Sequence, residues 1–155
     1  MPKISAGLIL YRKEGDRLEV LLVHPGGPIW ARRDLGAWSI PKGEVEPDED
    51  NLEAAKREFK EELGDFLLAE ADFLPLGSIT QKGGKVVHAC AIEGDLDPKA
   101  IKSNTFKMEW PPRSGEEQEF PEIDRAEFFE IGEAKEKINQ AQVKLLETLE
   151  AKLGL

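Results

Sequence analysis

No stretch of the chain constrains its fold as tightly as residues 43–64, GEVEPDEDNLEAAKREFKEELG. Asp50 followed three residues later by Glu53 is a capping-box pattern, and Gly64 is a natural helix stop. The spacing predicts one helix between them, of about three turns. At about 100° per residue, Leu52, Ala55, Phe59 and Leu63 fall on one stripe, which should face a core. Glu58, Glu61 and Glu62 fall on an adjoining stripe, where like charges at i, i+3 and i+4 repel. An acidic run on a helix is ordinarily a solvated face. This one borders the apolar stripe and follows a glycine-containing loop, which also suits a bound cation. Three carboxylates are hard oxygen ligands of the kind magnesium or manganese takes.

The spacing around those glutamates resembles the Nudix box. That pattern is a glycine, five residues, a glutamate, seven residues, then Arg-Glu-apolar-any-Glu-Glu-any-Gly-apolar. Gly43, Glu49, Arg57, Glu58, Phe59, Glu61, Glu62 and Gly64 stand in register, and Asp65 departs from the final apolar position. That departure bears on packing behind the helix end rather than on metal binding. Residues 37–42, AWSIPK, are similar to the strand and loop leading into the box in that family, and a weaker resemblance runs from about Ile4 to Phe129. The resemblance implies an α/β fold, a Nudix-like α/β/α sandwich with a mixed sheet.

A chain of 155 residues suits one domain with a sizeable core, expected over 1–155. Its formal charge of −10 argues against a nucleic-acid backbone or an anionic membrane as main partner. An acidic protein handling phosphates needs metal ions or local Lys and Arg to offset repulsion. A lone cysteine, Cys90, cannot form an internal disulfide and suits a reducing cytoplasm. Neither a signal-peptide pattern nor an apolar run long enough to span a bilayer is evident, so a cytoplasmic location is expected.

Along the chain, Ile4–Tyr11 and Leu18–His24 read as strands around a Glu14-Gly15-Asp16 turn. Pro25-Gly26-Gly27-Pro28 opens a loop carrying Trp30, Arg32 and Arg33. Those three suit stacking a base and neutralising a phosphate, although Trp30 could equally pack the loop onto the sheet. Trp38 reads as core, and His24 and His88 as structural. Residues 66–73 read as an irregular or partly helical link. Leu74–Gln81 and Lys85–Ile92 form a hairpin around Gly83-Gly84. Thr105–Trp110 is a short strand, the acidic run 116–119 a loop, and Phe120–Phe129 leads into another strand. Gly132–Leu153 reads as one closing helix packed opposite the box helix.

The resemblance also implies chemistry. Proteins of this family hydrolyse a nucleoside diphosphate linked to another group. Metal ligation is expected from Glu58, Glu61, Glu62 and the carbonyl of Lys42, with Mg2+ or Mn2+ as cofactor. Catalysis is expected to involve Arg57, Glu61, Glu62 and a carboxylate from across the sheet, Glu119 first and Glu117 second. Arg57 would orient the cluster, and Glu49 would brace the loop against the helix. Trp30, Arg32, Arg33 and Lys42 are the expected substrate contacts. Substrates in view are nucleoside triphosphates and dinucleoside polyphosphates, with ADP-ribose and nucleotide sugars as alternatives. A catalytically silent nucleotide-binding module and a structural calcium site are the competing functions.

Overall fold

The computed structural model describes residues 3–64 and 73–155. Asp65 and most of the expected 66–73 link therefore lie outside the described residues. Two long strands, β1 (Ile4–Glu14) and β2 (Arg17–Pro25), form an antiparallel pair through the turn at Gly15. The three-residue β3 (Lys42–Glu44) also pairs antiparallel with β1, placing Gly43 opposite Ala6. The expected hairpin is β4 (Leu74–Thr80) and β5 (Val86–Glu93), and β5 runs parallel to β1. After a separate ribbon of β6 (Thr105–Glu109) and β7 (Glu117–Pro121), β8 (Ile123–Glu130) closes the sheet on β2. The main sheet thus runs β4-β5-β1-β2-β8, with β3 alongside β1, and mixes parallel and antiparallel pairs.

Its central strands are buried on both faces, and strand alternation divides their side chains between two cores. Ala6, Leu8, Leu10, Leu21 and Val23 face α1 (Asn51–Leu63), meeting Ala54, Ala55, Phe59 and Leu63. Ile9, Val20, Leu22, Val87 and Ala89 face the other side, meeting Leu145, Leu146 and Leu149 of α3 (Val143–Leu153). Helices cover both faces, the expected α/β/α sandwich. Trp38 is core, edge-on to Phe129 at 4.9 Å.

Two local readings need correction. The closing helix is broken: α2 (Ile131–Lys137) ends where Ile138 turns extended, and one 3-10 turn separates it from α3. The cause is tertiary. Trp38 donates its backbone N–H to Lys137 and accepts from Asn139, so residues 137–139 pair with a chain segment instead of continuing the helix. Beyond the break, buried Gln142 accepts from the Ile40 backbone N–H and donates to Ser39 Oγ and Gln81 Oε1, fixing the approach to Lys42. The acidic run is also not a loop. From Glu117 onward it is strand, in register with β6, with Glu119 opposite Lys107.

Candidate active site

Helix α1 begins as its sequence dictates, with Asp50 Oδ1 accepting from the Glu53 N–H at 2.8 Å. One helical turn separates Arg57 from Glu61, and the guanidinium is the hub of the cluster. Its Nε and Nη2 form a fork on Glu49 at 2.8 and 2.9 Å. Nη1 reaches Glu58 Oε1 at 2.8 Å and both Glu61 oxygens at 3.4 Å, and Nη2 also bonds the Glu44 carbonyl. One side chain thus ties the loop before the helix to the acidic stripe on it. Its hydrogen bonds hold the Glu49 carboxyl down at about 2.

Gly43 lies against the same stripe. A Cβ there would sit 2.0 Å from Glu58 Cδ, so any other residue would push that carboxylate off Arg57. Burial raises Glu58 above the ordinary carboxylate range despite Arg57.

Glu62, one position beyond Glu61, is placed differently. It is buried, and its Oε2 has no hydrogen-bond partner. Burial, then the charge of Glu58, pushes its carboxyl up to about 8. A buried carboxylate oxygen without a donor is costly and calls for a cation. The charge of Lys42 acts on Glu62, but burial and then the charge of Lys85 lower its ammonium to about 8. Glu62 and Lys42 line a cavity of about 210 Å3 with Ser39, Ile40 and Glu122.

Glu122 is the residue that sequence reasoning missed. Burial, then Glu61, raises its carboxyl. Its charge bears in turn on Glu58 and Glu62. Glu119 and Glu117, the expected partners from across the sheet, are exposed on β7 instead. The usable signal was position: Glu122 immediately precedes a core strand, and the fold brings that strand's start beside the end of β2. Its backbone fixes it there, the N–H donating to Asn104 O and the carbonyl accepting from Gly26 N–H, both at 2.8 Å. Asn104 donates in turn to the Glu61 carbonyl at 2.8 Å, so the same segment caps the C-terminal end of α1.

These donors fit a hard divalent cation: clustered carboxylates, one of them buried with an unmet oxygen. Among the described residues, no three ligating groups are already closed into a coordination set. Glu58 is instead turned toward Arg57.

Of the expected substrate contacts, Trp30 lines a second cavity, of about 370 Å3, beside the first. The Arg33 guanidinium lies 5.4 Å from the Trp30 ring centroid, and its carbonyl faces Nε2 of buried His24 at 2.7 Å. Nδ1 of His24 meets Asp124 at 2.8 Å, so His24 anchors the loop. Arg32 is exposed on that loop. His88 lies within β5, opposite Ala6.

A family model described as NUDIX domain matches residues 1–149. An asymmetrical bis(5'-nucleosyl)-tetraphosphatase of Caenorhabditis elegans is 43% identical over 58 residues, 37% of this chain and 38% of that protein. The chain is thus matched to well under half the length of that curated relative. A solved C. elegans Ap4A hydrolase binary complex is similar at a TM-score of 0.63 and 24% identity, covering 97% of this chain and 98% of that one. The MutT protein of Methanosarcina mazei gives 0.64 at 20% identity, covering 99% and 97%. At such identities the structural likeness speaks for the fold.

Proposed function

The chain belongs to the NUDIX domain family, and from that premise we propose that it is a metal-dependent pyrophosphohydrolase acting on nucleoside polyphosphates. The observation that carries this reading is the unpartnered, buried oxygen of Glu62 at a cavity edged by one further carboxylate, Glu122. Glu58, Glu61 and Glu62 would hold the ion, Mg2+ or Mn2+, with the Lys42 carbonyl as a further ligand. When bound, such an ion neutralises pyrophosphate charge and lowers the pKa of a coordinated water.

The remaining work falls to the chain's own residues. Arg57 is a positioning residue, fixing Glu58 and Glu61 by charge-assisted hydrogen bonds. Glu122 takes the role first expected of Glu119 and accepts the proton of the attacking water. Burial, then the charge of Glu61, raises its carboxyl above the ordinary value, the direction that favours a proton acceptor. Water adds at phosphorus, the bond to the bridging oxygen breaks, and a nucleoside monophosphate leaves with the other phosphorylated fragment. Trp30 and Arg33 would hold the nucleoside end, and Arg32 the outer phosphates.

Dinucleoside polyphosphates are the proposed substrate class, ahead of nucleoside triphosphates. The stretch of likeness to a tetraphosphatase supports that order. We place the protein in the cytoplasm, consistent with its lone cysteine. Among the described residues no helix is long and apolar enough to cross a membrane.

The test is release of phosphorylated products from a panel of nucleoside triphosphates, dinucleoside polyphosphates, ADP-ribose and nucleotide sugars. It is run with magnesium or manganese beside Glu62→Gln. Metal-dependent hydrolysis of dinucleoside polyphosphates, lost in the variant, is the expected result. Ligand-induced thermal stabilisation without turnover on any substrate would instead favour a silent binding module.

A further inference from the structure

We propose that β8 is the docking edge for a second copy of this chain, the two strands pairing antiparallel about a two-fold axis at Ala126. Such pairing is a matter of assembly and does not depend on the catalytic reading.

The strands that end the main sheet are β4 and β8, and they differ. β4 carries Pro75 and, at Gly77, an irregularity in register with φ +82°, two devices that spoil an edge for pairing. β8 contains neither proline nor glycine. Its register with β2 fixes which backbone groups it leaves over. Val23 exchanges N–H and carbonyl bonds with Ser39, so its backbone turns away from β8. Ala126, opposite Val23, therefore turns its own N–H and carbonyl outward, and Phe128, two residues on, does the same. Among the described residues, no loop or further strand bonds those outward groups.

There is also room beside them. Hollows of about 430 and 470 Å3 lie along this edge, and Ala126 and Glu127 line both. The smaller is lined by Phe128 and Phe129 together, which point into the two different cores. The open space therefore follows the rim of the strand rather than one face of the sheet.

Charge says which strand fits the rim. In a pair centred on Ala126, each Arg125 stands directly opposite the partner's Glu127. Both side chains are exposed and lie on the same face of β8. Theirs is the non-hydrogen-bonded kind of pair, in which opposing side chains come closest. Moving the axis one residue sets arginine against arginine at Arg125, or glutamate against glutamate at Glu127, and like charges so placed destabilise. Exposed ion pairs add little affinity alone, so backbone bonds hold the dimer and the charges choose its register. A strand whose charges match its own reverse selects a copy of itself.

The deciding experiment is sedimentation of the full chain over a concentration series, beside Glu127→Arg, Ala126→Pro and the double swap Arg125→Glu with Glu127→Arg. The parent's mass should climb from that of the monomer toward twice that value. Glu127→Arg makes both cross-strand pairs repulsive and should raise the dissociation constant on the order of tenfold or more. The double swap rebuilds both pairs with their signs exchanged and should restore association. Ala126→Pro removes the outward N–H without touching the bonds to β2 and should abolish it. Amide exchange at Ala126 and Phe128 should slow as the parent associates. Should Ala126→Pro fail to fold, the charge variants decide, because both their positions are exposed. A parent that stays monomeric throughout overturns the proposal and leaves the edge to a different partner. A dimer unmoved by Glu127→Arg, or one the double swap fails to restore, overturns it as well.

Discussion

Glu49 and Glu62 are both box carboxylates, yet their surroundings are opposite. Glu49 accepts a two-pronged bond from Arg57 and one from the Glu46 N–H, and its pKa sits near 2. Glu62 is buried with an oxygen that meets no donor, and its pKa sits near 8. A carboxylate already saturated with donors serves geometry and gains little from a cation. A buried carboxylate with one oxygen that meets no donor costs the folded chain and is suited to a cation. On the proposed reading the contrast separates a residue that builds the site from one that would use it, within one helix and the loop before it.

Glu62→Gln sharpens the contrast most. Steady-state turnover should fall a hundredfold or more, on the scale of lost metal or base function, while the metal-free melting temperature does not fall. A variant that kept near-parental activity with magnesium would falsify the assignment. Arg57→Lys probes the other pole. Lysine keeps the charge but not the fork, so activity should drop at least tenfold and stability by about 1–3 kcal/mol in chemical denaturation. Equal stability in the two chains would mean that the hub is not structural.

Glu122→Gln and Glu119→Gln form the next pair. The first should lose about tenfold or more in kcat, the scale of a general base, and the second should stay close to the parent. The reverse order, read from the same assay, would restore the β7 carboxylate to the site.

The smallest effect is a slope with pH. In metal-free protein the folded state holds a proton on Glu62 up to about 8, whereas an unfolded glutamate releases it near about 4.3. The folded chain binds more protons between those values, so stability falls as pH rises through that window. Melting curves in chelator should decline by several degrees across it, and Glu62→Gln should flatten the decline. An unchanged slope in the variant would assign the effect elsewhere.

What could be read from the sequence was what depends on local spacing. The box helix, its Asp50 cap and the acidic stripe follow from periodicity within one turn of chain. The Glu49–Arg57 contact spans eight residues, and the resemblance implied Glu49's bracing position. The features that escaped depend on distant partners. Nothing near Ile138 announces a break, because the cause is backbone pairing with Trp38, about a hundred residues earlier. Glu117–Glu119 look like loop because glutamate has a poor strand propensity, and pairing with β6 overrides it. Glu119 and Glu117, the carboxylates the sequence pointed to, stand exposed on β7, whereas Glu122, which it did not single out, lines the cavity with Glu62. A few residues along an acidic stretch decide which carboxylate meets the cluster, and strand pairing across the sheet sets that choice.

The backbone strap through Asn104 has a mechanical consequence. One residue is bonded to the Glu61 carbonyl on one side and to the Glu122 N–H on the other, and Glu122 is bonded onward to Gly26 at the foot of the aromatic loop. The spacing between the end of the acidic helix and the loop after β2 is therefore written in peptide units rather than in side-chain rotamers. Under the proposed assignment the strap would work as a jig: a substrate held at the loop end would present a set phosphorus at the carboxylate end.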